Sequence, residues 1–298
     1  MAHFSPICLF VYNRPNEVTE AINALKKNIY AEDSDLYIFS DAAKDQYAVE
    51  TVKMVRDIIH IVAGFKSVTI IESEENKGLA NSIIEGVTFV INKYGKAIVL
   101  EDDLITSPNF LSYMNQALVF YQENSQILSI SGCTFKVDIP KDYPYDIYFT
   151  HRMSSYGWAT WKDRWVTIDW DVKDYRQFKY NLQKNIQFMK GGEDLPRMLS
   201  AYMKGRINSW AIRFCYHQYK TETYTVYPIE SKVDNVGFSS GASNTKRRKR
   251  YDIIEFHESK KDVFHYASEV QVNQIINRGF LRKYRTLNRI IANYILKN

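Results

Sequence analysis

The chain predicts an α/β protein built on a mostly parallel sheet with helices on both faces, and three observations carry that expectation. Its first hundred residues alternate apolar runs with stretches of helical periodicity, four runs separated by three helical stretches. The first run, residues 7–12 (ICLFVY), is apolar without interruption, as a strand buried on both faces should be. The fourth, residues 97–100, delivers Glu101, Asp102 and Asp103 at the strand end where ligands of open α/β sheets bind.

Taken in order, strand 7–12 is broken by Asn13-Arg14-Pro15-Asn16, and Asn16 is the expected cap of a helix with Val18, Ile22 and Leu25 on one face. Residues 36–40 form a second strand ending at Asp41. Val52, Val55, Ile59 and Val62 mark a helix over 49–63, and residues 67–71 are a third strand. A polar loop, residues 74–78, leads to a helix over 79–94 and then to the acidic strand. Ser107 is expected to cap a helix whose first residue is Pro108. Beyond it the alternation fades: a helix over 110–121, short strands at 127–131 and 147–150, and a tryptophan-rich stretch, SSYGWATWKDRWVTIDWD. Gly191-Gly192-Glu193-Asp194 opens a helix through Leu199 and Met203. Residues 228–245, rich in Gly and Ser, read as a mobile loop.

The 298 residues suffice for one large or two small domains with a real core. A net charge of +5 is too mild for a nucleic-acid binder. Cys8, Cys133 and Cys215 lack metal-ligand spacing and read as reduced core residues of a cytosolic protein. No signal peptide is legible, and no run approaches the roughly 20 apolar residues that span a bilayer. GxGxxG and GxxxxGK[ST] are both missing, which argues against a dinucleotide loop or a P-loop.

Three adjacent carboxylates repel one another unless a cation sits among them, and hard oxygen ligands suit Mg²⁺ or Mn²⁺. In an extended chain Glu101 and Asp103 share a side and Asp102 points away. The alternative is a solvated acidic turn. A strand-end metal commonly neutralises a diphosphate, which leads to a nucleotide-sugar donor, an oxocarbenium-like transfer and a carboxylate base for the acceptor hydroxyl. Asp194, at a helix start, is the candidate base, or merely charges the helix terminus. Trp158, Trp161 and Trp165, at i, i+3 and i+7, read as one helix face, either core or a floor on which a sugar stacks.

Four segments in order, PICLFVYNRP, VLEDDLITSPNF, SYGWATWKDRW with the later GGEDL, and SKVDNVGFSSGASNT, resemble GT-A-fold glycosyltransferases, and more closely bacterial relatives of N-acetylglucosaminyltransferase I. They span residues 6 to about 245. The resemblance implies a GT-A fold; with the alternation of the first part and the helical pattern of the end, the chain is expected to divide into a nucleotide-sugar-binding half at 1–105, an acceptor-binding and catalytic half at 106–265, and a basic amphipathic helical tail at 266–298. It implies Asp103 as the Mn²⁺ or Mg²⁺ ligand, Glu101 and Asp102 near ribose and uracil, Arg14 beside the diphosphate, Asp41 on uracil and Asp194 as base. It also implies a lid over the donor around Ser239, Ser240 and Ser243. Two departures stand out: Leu195 follows the acid pair where the family has Trp, and the membrane anchor and stem of eukaryotic members are missing.

The tail, 276–297, has a helical pattern with Ile276, Phe280, Tyr284, Leu287, Ile291 and Tyr294 opposite four arginines and no acid. It is expected either to dock on an anionic membrane surface or to pack on the domain; Lys246 to Arg250 (KRRKR) add a second basic patch. The functional expectation is a metal-dependent, inverting glycosyltransferase of surface-polysaccharide biosynthesis. It would use a UDP-sugar donor and a glycan or lipid-linked glycan acceptor, in the cytoplasm or peripheral to the inner membrane face. The rival readings are a nucleotide-sugar-forming nucleotidyltransferase and an inactive sugar-binding protein.

Overall fold

A computed structural model describes residues 4–237 and 261–285. The N-terminal part runs β1 (Ile7–Val11), α1 (Pro15–Lys26), β2 (Asp35–Ser40), α2 (Val49–Ile59), β3 (Ser67–Glu72), α3 (Leu79–Tyr94) and β4 (Lys96–Glu101). After it come β5 (Leu104–Thr106), α4 (Phe110–Phe120), β6 (Ile127–Ser131), β7 (Ile147–Thr150), β8 (Trp158–Trp161) and α5 (Lys162–Trp165). The remainder is α6 (Tyr175–Lys179), α7 (Leu182–Phe188), a 3₁₀ turn (Met189–Gly191), α8 (Leu195–Met203), α9 (Trp210–Lys220), β9 (Tyr224–Pro228), β10 (Val233–Asn235) and α10 (Gln274–Arg282).

Eight strands form one sheet in the order β3-β2-β1-β4-β8-β6-β9-β7. The first four are mutually parallel, β8 runs antiparallel between β4 and β6, β6 and β9 are parallel, and β7 closes the edge antiparallel to β9. Alternation along β1 sends Ile7, Leu9 and Val11 into an apolar layer with α1, α2 and α4, and Cys8 and Phe10 into the opposite layer with α3 and α9. All three cysteines are buried and free. Among the described residues no helix is long and apolar enough to cross a membrane.

The early alternation holds to within a few residues, and the departures have local causes. Helix α1 begins at Pro15, whose fixed φ suits a first helical position, so Arg14, not Asn16, is the capping residue. Helix α4 begins at Phe110 rather than Pro108, because the Ser107 hydroxyl bonds Asn109 Oδ1 (2.9 Å) and the Ser107 carbonyl takes the Phe110 N–H (3.0 Å). Trp158 and Trp161 lie on a strand, not a helix face, and point into opposite apolar layers. Trp158 stacks on Trp210 at 4.8 Å, and the Trp161 and Trp165 N–H groups donate to the Leu118 carbonyl (3.1 Å) and Thr88 (2.8 Å). These rings are core, and no sugar floor is built from them. Of the stretch read as a mobile loop, residues 233–235 are the ordered strand β10, and its continuation with Ser239, Ser240, Ser243 and KRRKR lies outside the described residues.

The tail is settled as far as it is described. Helix α10 ends at Arg282, and Ile276, Phe280 and Tyr284 are buried against Cys133, Phe135, Tyr148 and Tyr227. This face packs on the sheet and is not free for a bilayer; residues 286–298 lie outside the description.

His217 on α9 makes stability pH-dependent. Burial, then Lys220, lowers its pKa to about 4, with Asp169 pulling the other way, and its ring faces Thr167 at 3.2 Å. The folded chain therefore binds fewer protons than the unfolded chain between pH 6.5 and 4, so stability falls as pH falls through that window, by about 3 kcal/mol at most. Urea melts at pH 7 and 5 should show a larger drop for the native chain than for His217→Gln.

Candidate active site

The site begins where β4 ends. Leu100 is buried, Glu101 is the last strand residue, and Asp102 and Asp103 form a turn before β5. That turn breaks the strand alternation expected for the triplet: Asp102 and Asp103 reach the same partner, the Arg14 guanidinium. Arg14 Nη2 pairs closely with Asp102 Oδ1, and Nη1 donates to Asp103 Oδ2 at 3.1 Å. The Tyr12 N–H donates to Asp102 Oδ2 at 3.2 Å. Arg14 can do this because Pro15 starts α1 at once and leaves it on the junction between β1 and the helix.

The turn is braced from the far side. Strand β10 pairs antiparallel with β5, Asn235 opposite Leu104, and the Val236 N–H donates to the Asp103 carbonyl at 2.9 Å. Gly237 then passes so close to the Asp103 carboxylate that a Cβ there would collide with it. Asn28 fixes the other end of β5, donating to Thr106 Oγ1 (2.9 Å) while accepting from the Leu111 N–H (2.9 Å).

Beside the turn lies a cavity of about 330 Å³, bounded by residues 10–14, Phe39, Asp41, Asn76, Gly78, Glu101 and Asp102. It opens at the carboxyl ends of β1, β2 and β4, where strand order reverses from β2 to β4 about β1. Phe10 and Phe39 stack at 4.9 Å and give it an apolar wall. Asp41 holds its rim: its carboxylate accepts the backbone N–H groups of Ala42 (3.0 Å), Lys77 (2.9 Å) and Gly78 (2.8 Å). Gly78 has φ +72°, a conformation that favours glycine, and this turns the loop back over Asp41.

The electrostatics of the triplet are unbalanced. Burial, then Asp103 and Asp102, push the Glu101 carboxyl well above the usual range, with Arg14 opposing. Burial lifts Asp102 to about 6 against the pull of Arg14, with Asp103 adding to the rise. Burial works against the Arg14 charge, yet Asp102 and Asp103 outweigh it and raise its pKa. One guanidinium thus serves three carboxylates, a donor set short of positive charge. Among the described residues no three or more His, Cys, Asp or Glu side chains are grouped to enclose a metal. A cation here would take protein oxygen from Asp103, whose side chain is 15% exposed next to the cavity-lining Asp102, and its other ligands from outside the chain.

Asp194 belongs to a second cluster. It immediately precedes α8, as the sequence implies, but it is buried and held by Arg152, Nη1 to Oδ1 at 2.8 Å and Nη2 to Oδ2 at 3.1 Å. Arg152 also donates to the Gly191 carbonyl (3.3 Å), and the Tyr284 ring lies 3.8 Å from its Cζ. Burial opposes the Arg152 charge, but Tyr284 and Asp194 raise its pKa, so it stays a cation. Gly192 has φ +141°, and a Cβ there would meet Arg152, Asp194 and Tyr284. Sequence reasoning missed Arg152, which follows the short edge strand β7 with no motif around it. It marked Tyr284 as apolar but not as a lid on an ion pair.

A mixed sheet whose parallel half ends in an acidic turn beside a cavity of about 330 Å³ fits the fold class of the GT-A glycosyltransferases. The chain belongs to glycosyl transferase family 2, whose sequence profile matches residues 7–192. No curated protein sequence matches it. Among solved structures it is similar to the mannosyltransferase PcManGT from Pyrobaculum calidifontis in complex with GDP-Man and Mn²⁺, at 11% identity and TM-score 0.41, covering 74% of this chain and 69% of that one. It is also similar to S. aureus TarS 1-349, at 9% identity and TM-score 0.41, covering 78% of this chain and 61% of that one. TarS 1-349 in complex with UDP-GlcNAc aligns at 11% identity and TM-score 0.38, over 76% and 57%. The chain thus spans less than two thirds of the TarS chain.

Proposed function

We propose that this glycosyltransferase is metal-dependent and inverting. It moves a sugar from a nucleotide donor, UDP-linked, to a glycan or lipid-linked glycan acceptor in surface-polysaccharide assembly, as a relative of the N-acetylglucosaminyltransferase I family. The observation that carries this reading is the charge deficit around Arg14 at the mouth of the cavity. Asp103 would hold Mn²⁺ or Mg²⁺, and such a cation, when bound, neutralises a diphosphate leaving group. Arg14 stands where it can shift from the carboxylates to a phosphate oxygen, a geometry suited to its planar donor fork. The cavity between Tyr12 and Asp41 takes the nucleoside. Asp41 positions the Lys77 and Gly78 backbone; its Oδ1 already accepts two N–H groups, and its Oδ2, which accepts one, keeps a lone pair for a base N–H.

For transfer, the acceptor hydroxyl oxygen bonds to the anomeric carbon as the bond from that carbon to the nucleoside diphosphate breaks, and the hydroxyl proton passes to a base. Asp194 is the base in this reading. Arg152 fixes the direction of both carboxylate oxygens, and an ionised carboxylate so oriented is the group that accepts the proton. One displacement with one base inverts the configuration.

A thermal-shift screen of UDP-, GDP-, CMP- and dTDP-sugars with and without Mn²⁺ tests the reading. A UDP-sugar at a hundredfold its Kd should stabilise the fold by about 2.7 kcal/mol, and only with the metal present. Equal shifts with and without Mn²⁺, or none for any donor, would overturn it.

A further inference from the structure

The chain carries a second charged surface that the transfer reaction leaves unused. A groove of about 350 Å³ runs between the α6–α7 corner and the outer side of α8, with Lys179, Arg197, Lys204 and Arg206 on its walls and no acidic residue among its lining. Among the described residues none of these four cations joins an ion pair. Residues 175–206 hold seven Lys and Arg against Glu193 and Asp194, so this stretch alone carries a formal charge equal to the +5 of the whole chain. Asp194 is spent on Arg152.

Apolar side chains border these cations. Tyr180, Leu182 and Ile186 are 76%, 74% and 56% exposed. Leu182 and Ile186 are one turn apart on α7 and share a side with Asn185, which lines the groove, so this short exposed apolar stripe runs along its edge. Lys179 leans on the Tyr180 ring at 4.8 Å and donates to its hydroxyl at 3.2 Å, joining the cationic wall to the stripe. Single exposed apolar residues are ordinary, but a stripe beside unpaired cations is the pattern of a helix lying in a membrane interface.

We propose that the α6–α7 corner with the outer side of α8 is a docking surface for an anionic phospholipid bilayer. The cations meet the lipid phosphates, while Tyr180, Leu182 and Ile186 enter the headgroup boundary. A soluble polyanion would use the cations and leave the stripe wet, which favours the bilayer. Helix α8 is nine residues long, roughly 13 Å, and starts directly after Asp194, so its Arg197 wall of the groove lies within one helix length of that residue. The docking itself requires neither donor nor acceptor, so it can fail or hold independently of the transfer reading.

The test is flotation of the full chain with vesicles of phosphatidylcholine, with and without 30% phosphatidylglycerol (about one anionic lipid in three). The expected result is binding to the anionic vesicles alone, at least tenfold weaker for Leu182→Ser with Ile186→Ser, and lost for Lys179→Glu with Lys204→Glu and Arg206→Glu. All these side chains are exposed, and an unchanged circular dichroism melt confirms folding. Three results would overturn the proposal: no vesicle binding by the native chain; binding that depends on the cations but ignores the serine pair, which marks a soluble-polyanion site; or binding lost only when Lys246 to Arg250 are neutralised.

Discussion

Asp103→Ala is expected to abolish metal-dependent donor binding and lower transfer by about 10²–10³-fold or more, the scale of losing a principal electrostatic contact to a developing charge. The fold should survive. Asp102 keeps both the Arg14 guanidinium and the Tyr12 N–H, and removing one of three crowded carboxylates relieves repulsion. The native chain should gain thermal stability on adding Mn²⁺ with UDP, and the variant should gain none while melting no earlier than the native chain. A variant that still responds to Mn²⁺ would remove Asp103 from the metal and leave the charge deficit around Arg14 without a function.

The second large effect separates chemistry from architecture at Asp194. Asp194→Asn should leave donor binding intact and reduce transfer by about 10²–10⁴-fold, the usual contribution of a positioned general base. Arg152→Ala should act differently. It leaves a buried carboxylate without the two hydrogen bonds that hold it, and breaking such a pair typically costs about 3–5 kcal/mol. The double variant Arg152→Ala with Asp194→Asn should recover much of that stability and none of the activity. Denaturant melts of the four proteins beside transfer assays check this cycle. Normal transfer by Asp194→Asn would confine the pair to a structural role.

The parallel half of the sheet was legible because strands covered on both faces are apolar throughout, and because helices such as α2 and α3 repeat their buried positions regularly. The acidic turn was legible for the same reason, since charge directly after a buried strand is conspicuous. Other parts depended on contacts between distant segments. Three-residue β5 and β10 are too short to show a period, and their pairing joins residues more than 120 apart. Trp158 and Trp161 obeyed helical spacing while forming a buried strand, because a strand covered on both faces puts apolar groups at i and i+3 on opposite sides. Arg152 was invisible for a plainer reason: nothing in His151-Arg152-Met153 indicates that an acid 42 positions later will close on it.

The order of strands constrains when the enzyme can come alive during synthesis. Strand β8 fills the edge of β4 that faces away from β1, and β10 reaches the acidic turn only after more than two hundred residues have been made. A nascent chain that has emerged only through β4 therefore presents a raw, hydrogen-bond-hungry edge next to an unbraced cluster of negative charge. Premature termination anywhere before β8 should yield aggregates rather than a working nucleotide-binding fragment, and the first competent molecule can appear only after the ribosome has passed Gly237.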